Sequence, residues 1–445
     1  MTEITGQVLS NLDEFKQRLG HLSLLCETAT FKGGTSYRLE KDLIDCLTAP
    51  TTIDDEEKSE IGRYLEKKRL CADLDTGQRT DRSRFRYADI AFRKTDETSY
   101  EIQRLTTAGF SPEIWFQDYC LAKAGVRSRT GGVTVSAKSG SKTGVSHIID
   151  WGIELDLVSK SGRPSPIANL IAHSVQQQRH GSKSFNPYIL SIEKLVHAFA
   201  YFTSDFDVFA ELVTIIGMRS GQISKADAQE IYVEAVDRLA SRAEKNKTLS
   251  TRQTNPIYSL WRDVEQAGKR SRKEPARTST AWHRASSRFE TLTDLGLLEK
   301  YFGITDSSYE YKYYPTQSLM NAVSTFERAP SLKDWIDLFL ISTALGIETV
   351  EDVVPEAVLS QHLPNALTPL KRPTAPVPVA ALALSLAMSM IKAGEKYSLN
   401  SIKKSLRCLA IDHPEKAKLS RGTLADSEGL IAINLRNIDV ENGIK

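Results

Sequence analysis

Apolar residues along the chain recur mostly at helical spacing, and they alternate with polar ones in only a few short stretches. Ala281, Ala285, Phe289, Leu292 and Leu295 stand four, four, three and three residues apart, which predicts one apolar stripe on an amphipathic helix. Hydroxyls at Thr278, Ser279 and Thr280 suit its start, and Gly296 suits its end. His283 and Ser287 fall away from the stripe, with Arg284 at its flank. The segment LLEKYFG, the polar turn ITDSS and YEYKYYP then read as strand, turn and strand. Tyr309, Tyr311 and Tyr313 alternate with Glu310 and Lys312, the period of a strand with one buried face.

Elsewhere the same periods set the organisation. Residues 1–110 mix both: Leu9, Leu12, Phe15, Leu19 and Leu22 keep a helical period, SEIGRYLEKKRL predicts another helix, and CADLD, TGQRTDRS and RFRYADIAF read as strand, polar loop and strand. Residues 111–185 offer a helix from Glu113 to Ala124, a Gly/Ser-rich basic passage, and HIIDWGIELDLV, whose Trp151-Gly152 parallels Leu295-Gly296. Residues 186–250 read as purely helical scaffold, with Leu195, Phe199, Phe202, Phe206 and Phe209 as a core stripe and Ser224 opening a second helix. Residues 316–363 predict further helices, five prolines mark 364–378 as a linker, and 379–445 reads as a small C-terminal helical unit. There, Ser398 caps a helix decorated by Lys403, Lys404 and Arg407, which reads either as a further helix-turn-helix or as plain two-helix packing.

Helix, glycine, strand, short turn and strand over 251–330 resembles the winged-helix superfamily. The hairpin at 76–86 and the passage at 111–185 resemble it too, as two further modules in tandem. The implied fold is α+β and mostly helical: two or three tandem winged-helix modules, connecting helices and the C-terminal unit. The resemblance is one of architecture, shared with the recognition halves of type IIS restriction enzymes and with multi-module replication initiators, and it imports no chemistry.

Charge sharpens this reading. The net charge of +2 is near neutral, so a nucleic-acid surface has to come from local segregation. Between Gly268 and Arg288 seven cations, Lys269, Arg270, Arg272, Lys273, Arg277, Arg284 and Arg288, face one acid, Glu274. In helix-turn-helix folds the second helix enters the major groove N-terminus first, so this arm would lie on the backbone while Ser279, His283, Arg284 and Ser287 reach base edges. Lys312 in the wing, with Arg82 and Arg84 in the earlier hairpin, would meet flanking phosphate.

No catalytic signature competes. GSKTG lacks the Gly-Lys-Ser/Thr order of a phosphate loop, Glu310-Tyr311-Lys312 is a poor magnesium-nuclease motif, and the eight histidines are scattered. Five separated cysteines suit reduced thiols, and the most apolar run, Val379 to Ile391, is too short for a bilayer. The expectation is a cytoplasmic, non-enzymatic protein needing no cofactor and no metal, with no membrane partner and with double-stranded DNA as its partner. A bacterial restriction, phage-defence or mobile-element setting would suit it. The alternative is a winged-helix protein-docking subunit, kleisin-like or in a defence complex, whose partners are other subunits or a second copy.

Overall fold

The computed structural model describes residues 4–9, 19–33, 38–40, 42–43, 145–181, 190–219, 221–271, 280–304, 309–370, 376–420 and 428–438. These residues are mostly helical, with two small antiparallel sheets. The hairpin at 76–86, the helices expected at 59–70 and 113–124, and the Gly/Ser passage lie outside them.

An N-terminal layer comes first: α1 (Leu19–Phe31), α2 (Val145–Glu154) and α3 (Pro166–Gly181), with α1 packed along α3. The expected parallel between Trp151-Gly152 and Leu295-Gly296 fails. Gly152 is inside α2, packed beside Leu25 and Val158, whereas Gly296 turns the chain at φ +73°. No wing strand follows α2 either: Leu155–Val158 forms a turn, with a single bridge from Val158 to Pro164.

The central layer starts with α4 (Lys194–Met218), broken by a non-helical residue, Asp205 (φ −130°, ψ 26°). Phe202, Phe206 and Phe209 meet Phe326 and Trp335 with ring centroids 5.3–6.0 Å apart. Aromatic burial on this scale dominates core energetics, and edge-on and tilted pairs add about 1 kcal/mol each. The stripe is therefore core, as its spacing predicts. Next come β1 (Ile223–Ser224), α5 (Lys225–Lys245), α6 (Thr251–Ser271), α7 (Thr280–Asp294), β2 (Leu298–Ile304) and β3 (Tyr309–Pro315). Ser224 and Asp227 form a capping box at the head of α5. The sheet order is β1-β3-β2, all antiparallel, with Ile223 opposite Tyr313 and Lys300 opposite Tyr313 on the other side.

Two helices lead out of it, α8 (Gln317–Thr325) and α9 (Leu332–Leu345), the latter N-capped by Ser331 and closed by Gly346 at φ +68°. The last unit runs α10 (Glu356–Leu367), β4 (Val377–Pro378), α11 (Val379–Lys392), α12 (Leu399–Asp412), β5 (Ala417–Ser420) and β6 (Leu430–Ile433). Its sheet order is β4-β6-β5. The stretch 364–378 is thus not simply a linker. Pro364 lies inside α10, and Val377-Pro378 pairs with Ile431 and Leu430 as an edge strand. Proline is tolerated there because an edge residue needs no second donor. No described helix is long and apolar enough to cross a membrane.

Candidate nucleic-acid interface

The stripe Ala285, Phe289, Leu292 and Leu295 is buried on α7 as the periodicity predicts. Its polar face is buried as well: every residue from Arg284 to Leu295 is buried. Arg288 is wholly enclosed and forks onto Asp205, with Nε to Oδ2 at 2.8 Å and Nη2 to Oδ1 at 3.0 Å. Nη2 also donates to the Leu9 carbonyl at 3.0 Å, and the guanidinium lies over the Tyr232 ring. Asp205 in turn accepts from Leu9 N (2.9 Å) and from the Tyr201 hydroxyl (3.1 Å). Arg284 donates to Asp263 on α6 at 3.2 Å, and Ser287 is sealed in the core.

Arg284, Ser287 and Arg288 therefore hold α7 inside the protein and do not reach base edges. Of the neighbours that cover them, α6 is the preceding helix, but α4, α5 and residues 4–9 are more distant in the sequence, so local periodicity could not reveal the cover. Lys312 sits in the central strand of its sheet, opposite Tyr301 and Ser224, and is half-exposed rather than at a wing tip. Lys269 and Arg270 fall in the last turn of α6, and His283 in the first turn of α7, with side chains outside the described set. Arg272, Lys273, Arg277, Ser279, Arg82 and Arg84 lie outside the described residues.

The helix that holds the corresponding place in the last unit is open. In α12, Ser398 accepts from Ser401 N as N-cap, and Leu399, Ile402, Leu406 and Leu409 point into the core. The opposite side carries Lys404, Arg407, Cys408, Ile411 and Asp412, all exposed and close to helical register. Among the described residues neither Lys404 nor Arg407 forms an ion pair, in contrast with Arg284 and Arg288. Next to it β5 exposes Lys418, Leu419 and Ser420 as it leads into 421–427. Acids stand at both ends of the helix: Asp412 at one, and at the other Glu351, which accepts from Asn400 at 3.3 Å.

The residue before Lys404 has the opposite fate. Lys403 is 3% exposed and donates to Asp337 of α9 (2.6 Å) and to Glu428 (2.7 Å), just before β6. Lys333 joins the same acids; burial works against its charge, but Asp337 and Glu428 outweigh that and lift its ammonium above the ordinary value. This cluster ties α9, α12 and the approach to β6, and it fixes which face of α12 turns outward. Lys403, Lys404 and Arg407 look alike in the sequence, and only burial separates the buried clamp from the exposed pair.

One buried pair deserves comparison with catalytic arrangements. Ser23 Oγ and His197 Nε2 are 2.9 Å apart, but Ser23 is 0% and His197 1% exposed. Burial, only partly opposed by Glu193, pushes the imidazole down to about 4. Glu193's oxygens are taken by Ser174 and Ser191, so among the described residues no carboxylate orients Nδ1 as a triad needs. This pair is core. Among the described residues no group of three or more His, Cys, Asp or Glu side chains is placed to hold a metal ion.

No protein-family model matches the chain, and neither a curated protein nor a solved structure matches it.

Proposed function

We propose that this chain is a double-stranded-DNA-binding protein of winged-helix architecture whose reading helix is α12. The reading rests on one observation: α12 is the third helix of a helix–strand–helix–helix–strand–strand unit, and its outer face carries Lys404 and Arg407 in the open. The sheet order β4-β6-β5 is the order a winged helix requires, with β5 and β6 in the places of the two strands that border a wing. The central sheet, β1-β3-β2, repeats that order, with α6 as an extra helix before α7. On this reading the central unit is a scaffold, because α7, which holds the place of the reading helix there, is buried from Arg284 to Leu295, and the last unit makes the contact. Cations on an exposed helix next to a wing supply backbone contacts, and the neutral side chains between them meet base edges.

Fluorescence anisotropy of a labelled duplex with the full chain, over a salt series, tests this. Each phosphate contact adds about −0.9 to the slope of log affinity against log salt. Affinity that falls steeply with salt supports the reading; no duplex binding at low salt overturns it.

A second reading has its own observation. Ile411 is 74% exposed on the same face, with Leu419 exposed on β5. An apolar residue so open among cations suits a protein-docking surface, with another subunit or a second copy as partner. Salt-independent association with a protein and none with duplex would favour it.

A further inference from the structure

Away from the α12 face, α3, α10 and α11 line a half-open cleft of about 470 Å³, within the range of small-molecule sites. Leu170, His173 and Gln177 line it from one side of α3, and Met388, Ser389 and Lys392 from one side of α11. Leu170 and Met388 are buried while Gln177 and Lys392 are exposed, so the cleft grades from an apolar end to a polar mouth. Lys392 Nζ donates to Gln177 Oε1 at 2.8 Å across that mouth. An ammonium has three donors, so two remain for a guest. His362 of α10 is buried in the wall, its Nδ1 2.9 Å from Ser389 Oγ. Ser174 also lines the cavity but is committed to Glu193 at 3.1 Å.

The balance of charge decides what such a cleft would hold. Among the described residues no carboxylate lines it, although Glu395 is near enough to act on His362. One ammonium, two imidazoles and neutral amides and hydroxyls face a space with an apolar back wall. We infer that this cleft binds a small organic anion, with its charged group at Lys392 and Gln177 and its apolar body against Leu170 and Met388. A charge-assisted bond to Lys392 supplies the discrimination. The guest would be gripped by α3 of the N-terminal layer and by α10 and α11 of the last unit, joining the two.

Calorimetric titration and thermal unfolding of the full chain test this with four probes. AMP and hexanoate offer phosphate and carboxylate as the charged group; adenosine and hexanol are their uncharged counterparts. The expected result is saturable binding of AMP or hexanoate, at least tenfold tighter than its uncharged counterpart, with a raised Tm. Lys392→Gln and Gln177→Leu, both at exposed positions, should keep the ligand-free Tm while Lys392→Gln weakens binding about tenfold. Binding of neither anion, equal binding of the uncharged counterpart, or unchanged affinity in Lys392→Gln would overturn the inference. The assay contains no DNA, so its failure and a failure of the DNA reading are separate results.

Discussion

Arg288 of α7 and Asp205 at the break in α4 form a two-bonded ion pair that is 0% exposed on both sides. The pair explains two features at once. The unwound residue in α4 turns its carboxylate toward α7, and the Leu9 backbone closes the site by giving an N–H to Asp205 and a carbonyl to Arg288. Removing one member of such a pair leaves a buried charge without compensation.

Arg288→Ala is therefore a stability change. It should cost about 3–5 kcal/mol in urea unfolding. Combining it with Arg284→Ala tests the fold, and any loss of DNA binding in that double variant would follow from unfolding. A loss below about 1 kcal/mol would show that the interior network is not as described.

Acid should weaken the fold through His197. Its folded value of about 4 lies below the ordinary 6.5, so the unfolded chain takes up the proton first as pH falls. The stabilisation is complete above pH 6.5 and disappears as pH drops toward 4, amounting to at most about 3 kcal/mol. Urea midpoints between pH 7.5 and 4.5 should fall in the wild type and fall less in His197→Gln. Parallel curves would remove His197 from the account.

Adjacent lysines on α12 should behave oppositely. Lys403→Met leaves Asp337 and Glu428 with Lys333 as their one remaining cation among the described residues, and should cost on the order of 2–3 kcal/mol. Lys404→Met should stay within about 0.5 kcal/mol, as surface substitutions usually do. Equal thermal shifts in the two variants would contradict the burial assigned to them.

The paired substitution Lys404→Ala with Arg407→Ala should keep the wild-type Tm and weaken duplex binding. Losing two phosphate contacts should lower the salt slope by about 2. Wild-type affinity and slope in this variant would remove α12 from the proposed contact.

Most elements could be read from periodicity because their apolar stripes are complete within one helix. The stripe from Ala285 to Leu295, the cap at Ser224 and the two strands at 298–315 are of this kind. What periodicity missed was the polar face of α7, which is buried because Asp205 and Leu9 arrive from far upstream. A charged side chain reads as exposed until its partner is known. The last sheet was missed for another reason. Its edge strand is two residues long and ends in proline, and its other strands have four residues each, too few to show alternation.

The hold on residues 4–9 has a consequence for synthesis. Thr5 and Gly6 give their amides to Asp207, Leu9 bonds to Asp205 and Arg288, and Gly6 at φ +77° runs so close to Gln253 that an added methyl would collide. A nascent chain leaving the ribosome presents Leu9 first and must wait for Arg288 before that stretch finds its seat. The centre of the molecule therefore closes late, and a pause in translation upstream of Arg288 leaves Leu9 without its guanidinium.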